Sequence, residues 1–221
     1  MKNIKTTLTI FIISLFLSGC LNYEQITTLN IDGSGEMYIH YWFKVKTEQD
    51  SIVMAKVGIF SPDSIRKEYS SKDLNIGNID VYTDKNDSTI HAKIELTFAK
   101  FDSLNSASAF KDVNFSFKKT DKTTMVFSQF IPPFATGFGI NGQLFKITYV
   151  YYIPGEILSH NAMSRSNNKL TWEYTLDQIG TGKTIAATFR PFKLKETPIW
   201  IYIAAFSIIS IVIFYLFKKK K

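Results

Sequence analysis

Met37-Tyr38-Ile39-His40-Tyr41-Trp42-Phe43-Lys44-Val45 is the stretch that decides the fold. Successive side chains of an extended chain point to opposite faces, so Met37, Ile39, Tyr41, Phe43 and Val45 share one side and Tyr38, His40, Trp42 and Lys44 the other. One face is continuously apolar and the other is mixed, the signature of a half-buried strand. Upstream, 26–31 predicts a second strand, and Asp32-Gly33-Ser34-Gly35 between the two supplies the positive-φ residues of a tight hairpin.

Working outward, the period changes and then returns. Residues 50–60 and 65–69 predict helix, with Ser61 as N-cap and Pro62 at the first helical position of the second piece. In 90–98, Ile90, Ala92, Ile94, Leu96 and Phe98 alternate with His91, Lys93, Glu95 and Thr97, paired with 79–82 across a polar turn at 84–88. Residues 102–110 predict a weak helix, because Ser and Asn compete with the helical backbone. A hairpin of 113–117 with 125–130, then strands at 144–153, 170–176 and 185–189, complete the set. Eight or nine strands with one helical insert near the start predict an α+β fold, mainly antiparallel sheet, over 20–197.

Both ends of the chain predict anchors. Lys2 and Lys5 form a positive n-region, 8–17 an apolar h-region, and Leu17-Ser18-Gly19-Cys20 resembles the lipobox of bacterial lipoproteins. On that reading 1–19 is a signal peptide and Cys20, the only cysteine, carries a diacylglyceryl group with palmitate-type chains, leaving no disulfide in the domain. At the other end, 199–217 holds 19 residues without a charge, enough to cross a ~30 Å hydrocarbon core at ~1.5 Å per residue. Trp200, Tyr202 and Tyr215 suit the interfaces, and Lys218 to Lys221 form a basic tail. The expectation is a transmembrane helix over 198–217, a cytoplasmic tail at 218–221, and an extracytoplasmic domain on the bacterial inner membrane.

The basic balance of the whole chain does not point to nucleic acid. Two of the 26 Lys and Arg lie in 1–19 and four in the tail, which leaves 20 against 19 Asp and Glu, with no basic block between. Gly137-Phe138-Gly139-Ile140-Asn141-Gly142 fits G-x-G-x-x-G in letter, but Pro132-Pro133 precedes it and a strand pattern follows, where a dinucleotide site needs a strand before and a helix after. Gly180-Thr181-Gly182-Lys183-Thr184 has Asp177 where a phosphate loop needs its first glycine, and predicts a β-turn. His40, His91 and His160 are far apart in sequence and neighbour no catalytic motif. The chain is read as no enzyme, with no cofactor and no metal site.

From Pro154-Gly155-Glu156-Ile157-Leu158-Ser159-His160-Asn161-Ala162 through Asn168-Lys169-Leu170-Thr171-Trp172-Glu173-Tyr174, the sequence resembles the C-terminal part of the LppM-type lipoprotein domain family. The Pro-Gly start, the Asn before a small residue and the Thr-Trp pair carry the resemblance, and the Asp32 to Gly35 hairpin is similar to the family's opening. The resemblance implies an envelope-tethered module that binds polar glycolipids. Trp172, in phase with Leu170, Tyr174 and Leu176, reads as core.

The candidate ligand or membrane contacts are Phe130, Ile131, Phe134, Phe138 and Ile140, on an apolar segment that prolines and glycines keep from being a central strand. The function expected is a non-enzymatic envelope lipoprotein binding a lipid, glycolipid or other amphiphile, with the membrane as its partner through the N-terminal lipid and the C-terminal helix. The alternative is a scaffold or assembly partner of an envelope complex.

Overall fold

The computed structural model describes residues 21–47, 52, 54–56, 58–133, 142–192 and 199–218, with the side chains at 144, 216 and 218 left undescribed. Eleven strands are described: β1 (Leu21–Leu29), β2 (Gly35–Lys44), β3 (Leu74–Asp84), β4 (Thr89–Phe98), β5 (Phe115–Lys119), β6 (Met125–Ile131), β7 (Lys146–Tyr152), β8 (Gly155–His160), β9 (Ser164–Ser166), β10 (Lys169–Thr175) and β11 (Lys183–Pro191). They form a seven-stranded sheet in the order β3-β4-β2-β1-β7-β10-β9 and a four-stranded sheet in the order β5-β6-β11-β8. Neighbours are antiparallel except β1 and β7, which run parallel with Gln25 opposite Tyr149 and Thr27 opposite Tyr151.

The alternation in 37–45 has the predicted result. Met37 and Ile39 are fully buried and Phe43 nearly so, with Leu96, Ile94 and Ile90 opposite them on β4. Gly35 begins β2 because a Cβ there would stand 2.2 Å from the Thr28 carbonyl oxygen. Asp32 caps the turn, its carboxylate accepting from the Ser34 amide at 3.0 Å.

The two sheets meet across an aromatic core. Phe127 of the smaller sheet stacks on Tyr151 of the larger at 4.6 Å, and Trp172 stands edge-on to both, at 6.2 and 5.9 Å. Such rings contribute both buried area and edge-to-face attraction. Trp172 is core, as its spacing predicts. Its indole Nε1–H donates to Asn161 Oδ1 at 3.0 Å, Asn161 Oδ1 also accepts from the Ala186 amide at 2.9 Å, and Asn161 Nδ2 donates to the Thr184 carbonyl at 2.7 Å. One asparagine thus ties β10 to β11. At Gly155 a Cβ would lie 2.2 Å from the Arg190 carbonyl oxygen, so β8 and β11 approach only because that residue has none.

Helix is a minor component of the domain. Residues 52 and 54–56 are helical, and α1 (Pro62–Tyr69) follows with Ser61 as N-cap and Pro62 at its start. The weak helix over 102–110 is instead a pair of 3₁₀ turns, Phe101–Ser106 and Ser108–Phe110, that bury Phe101, Leu104 and Phe110. The strand expected to reach Leu176 stops at Thr175, where a capping box with Gln178 opens the single turn α2 (Leu176–Ile179).

Two expectations are corrected. The fold is mostly β rather than α+β, because the helical pieces are short and the segment 154–166, read as carrying no strand, supplies β8 and β9. The chain divides into two compact units, ending at Pro191 and beginning at Phe192, and the second contains α3 (Ile199–Lys218), whose described side chains are all exposed. Among the described residues no helix is long and apolar enough to cross a membrane. The transmembrane assignment of 198–217, and the single-pass topology drawn from it, therefore do not stand.

Candidate functional site

Beside the parallel β1–β7 pair the two sheets part and leave a cavity of about 340 Å³. Leu21, Tyr23 and Gln25 of β1 and Ile147 and Tyr149 of β7 form one wall, Gln129 and Pro132 at the end of β6 another. Ala109, Phe110 and Val113 close a third side and Tyr69 stands at the edge. The lining follows from strand periodicity: Tyr23 and Gln25, like Ile147 and Tyr149, are two residues apart and share the inward face.

The floor is polar and internally paired. Gln25 is fully buried and Gln129 nearly so. Gln25 Nε2 lies 3.1 Å from each of Gln129 Oε1, Tyr151 Oη and Thr27 Oγ1 and shares its two hydrogens among them, and Gln129 Nε2 returns a bond to Gln25 Oε1 at 3.3 Å. The Tyr151 hydroxyl donates to Gln129 Oε1, and the Tyr23 hydroxyl to Gln25 Oε1 at 3.3 Å. A buried amide pair without such partners would be strongly unfavourable. Two phenols are different. The hydroxyls of Tyr149, only 5% exposed, and of Tyr69 have no hydrogen-bond partner among the described residues, and both rings line the cavity. Burial raises the pKa of both phenols, so each stays a neutral donor.

The nearest charge is at the rim, where Lys146 is held by Glu173 at 3.1 Å, both half-exposed. Among the described residues the interior offers apolar walls, amide groups and neutral hydroxyls. Among the described residues no cluster of three or more His, Cys, Asp or Glu could hold a metal.

The candidate residues read from the sequence fall elsewhere. Ile131 is fully buried in the core, and Phe130 covers Gly182, where an added Cβ would lie 2.4 Å from the ring. Neither lines the cavity. Cys20, Phe134, Phe138 and Ile140 lie outside the described residues. Pro132, next to Ile131, does line the cavity. Of the glycine motif over 137–142 only Gly142 is described, and it opens a 3₁₀ turn followed by β7.

Sequence separation conceals another grouping. His40 on β2 and His91 on β4 stand Nε2 to Nδ1 at 3.0 Å, and His91 Nε2 lies 2.6 Å from Thr89 Oγ1. Thr89 Oγ1 in turn donates to Asp87. The chain of donors runs from His40 through His91 and Thr89 to a carboxylate, which assigns His91 Nδ1 as acceptor. Burial, then the neighbouring His91, pull the His40 pKa down to about 4. The pair lies on the opposite face of the sheet from Tyr41, away from the cavity.

Comparison with known proteins adds a likeness among solved structures. No family model matches the chain, and no curated protein does. Among solved structures, the fold is similar to the NMR structure of the folded domain of Mycobacterium tuberculosis LppM, with a TM-score of 0.49 and 15% identity over 79% of this chain and 92% of that one. The chain is similar to LppM.

Proposed function

We propose that this protein is an envelope lipoprotein, tethered through a lipid on Cys20, whose domain holds the acyl part of an amphiphile in the cavity beside β1 and β7. The observation that carries the reading is the cavity itself: about 340 Å³, within the usual ligand-site range of roughly 300–1,000 Å³, with apolar walls and a few convergent polar groups. Each methylene buried there contributes about 0.8 kcal/mol. Leu21, which lines the cavity, is bonded to the proposed lipidation site, so the tether and the binding site belong to the same end of β1.

Two measurements test this on the full chain in cells. Alkynyl palmitate should label the wild type and fail to label Cys20→Ser. Lipids carrying a diazirine on an acyl chain should, on illumination, form adducts on the peptides holding 109–113 and 145–149, in Cys20→Ser as in the wild type. Adducts that vanish with Cys20 would mean the cavity holds only the protein's own lipid, and no adduct on either peptide sinks the reading.

A further inference from the structure

A second hollow, of about 540 Å³, lies between β1–β2 and the helical insert, where Tyr41, Ile59 and Ile65 line it. Leu21, Tyr23, Tyr69 and Ala109 line both hollows. Four shared side chains make this a partition between two limbs rather than a gap between unrelated sites. A methylene takes on the order of 30 Å³, close to a water's share of liquid volume. The limbs then match about eleven and about eighteen methylenes, the size of two acyl chains and too much for one to fill.

The partition is where two hydrogen-bond donors without a partner among the described residues stand. Tyr69 is part of it, and the Tyr149 ring lies 5.8 Å from that of Tyr23. With both phenols held neutral, the Tyr69 and Tyr149 hydroxyls offer donors to groups that only accept, and ester carbonyls at the branch of a two-chain lipid are such groups. A free carboxylate is matched less well. Lys146 is engaged by Glu173 and Lys67, beside Glu68, is exposed on α1.

Resting on the acyl-binding reading above, we infer that the two hollows are limbs of one site for a two-chain, ester-linked amphiphile, its branch point held by Tyr69 and Tyr149 at the Leu21–Tyr23 partition. The test uses the full chain in phosphatidylcholine nanodiscs with two probes, phosphatidylcholine and lysophosphatidylcholine, each carrying a diazirine at the end of an acyl chain. Phosphatidylcholine labelled on either chain should give adducts on both 109–113 and 59–65. Val113→Trp fills the first limb and Ser64→Trp the second; each should lower diacyl labelling of the untouched limb at least fivefold while lysolipid labelling there stays within twofold.

The wild-type adduct map decides the matter even if a variant fails to fold. Diacyl adducts confined to one limb, or unaffected in one limb when the other is filled, overturn the two-chain inference and leave the acyl-binding reading standing. No adduct from either probe in either limb overturns both.

Discussion

Replacing Gln129 with Leu tests the buried amide floor most directly, since the two side chains are close in size and the change removes hydrogen bonding alone. Gln129 accepts from Tyr151 Oη and from Gln25 Nε2 at 3.1 Å, and donates to Gln25 Oε1 at 3.3 Å. After the substitution, Gln25 keeps the Tyr23 hydroxyl on its oxygen and Thr27 and Tyr151 on its nitrogen, so no group is stripped completely. Weakening two buried groups at ~1–3 kcal/mol each places the cost at about 2–6 kcal/mol, or roughly 4–24 °C in Tm for a domain of this size. Gln25→Leu should cost as much. Because the two amides are each other's partners, the double variant should cost less than the sum of the singles by about 1 kcal/mol or more. Thermal melts of the full chain followed by near-ultraviolet circular dichroism give all four corners of the cycle. Additive losses, or a neutral Gln129→Leu, would refute the claim that these amides act as one unit.

Other consequences are equally open to measurement. Asn161→Ala leaves the buried Trp172 indole N–H without its acceptor and cuts the tie to β11, for an expected loss of about 2–3 kcal/mol; a melting point within 2 °C of wild type would contradict that role. Gly155→Ala places a methyl group against the Arg190 carbonyl and should destabilise by at least ~2 kcal/mol, whereas Gly180→Ala, with nothing within 4 Å but φ at 55° and ψ at −120°, should cost about 1–3 kcal/mol through backbone strain alone. The folded His40 pKa of about 4 lies below the ordinary value near 6.5, so between those values the unfolded chain binds the extra proton. Stability is then full above pH 6.5 and falls as pH drops towards 4, by on the order of 1 kcal/mol after allowing for solvent screening of a part-exposed ring; His40→Gln should remove that slope from denaturation midpoints measured between pH 4 and 7. If the segment after Pro133 takes part in lipid contact, Phe134→Ser with Phe138→Ser should leave Tm nearly unchanged and lower photolabelling at least fivefold, and unchanged labelling in the stable double variant would exclude it.

Much of the sheet was legible in the sequence because one-sided burial writes a period of two into the chain. Residues 37–45 and 90–98 announce their inward faces, and Ser61-Pro62 announces the start of α1. What alternation does not record is which strand lies beside which. Nothing in 21–29 says that 146–152 will run parallel to it, so the cavity flanking that pair, the Gln25–Gln129 floor and the His40–His91 contact were all invisible. The proline break marks where β6 ends but not which way its last residues face: Ile131 turns into the core while Phe130, on the opposite face, is half-buried over Gly182. β8 was missed because its apolar positions are few and Leu158 is exposed. At the C-terminus hydropathy was legible, but a count of apolar residues did not secure a span.

The motif residues that suggested the LppM resemblance are structural. Asn161 ties Trp172 to β11, and Gly35 and Gly155 permit close backbone contacts, so they specify a chain path.

The parallel pairing of β1 with β7 has a consequence for how the molecule is made. Antiparallel β2 follows β1 after a short turn, but the partner for the other edge of β1 arrives only after more than a hundred further residues have been produced. Until then that edge presents unpaired backbone groups, with Gln25 and Thr27 lacking the Tyr151 hydroxyl. Long-range pairing of this kind slows folding and prolongs the exposure of a strand edge to other chains. A chain that emerges amino end first therefore carries its most vulnerable edge through most of its own synthesis, and shields it only when β7 arrives.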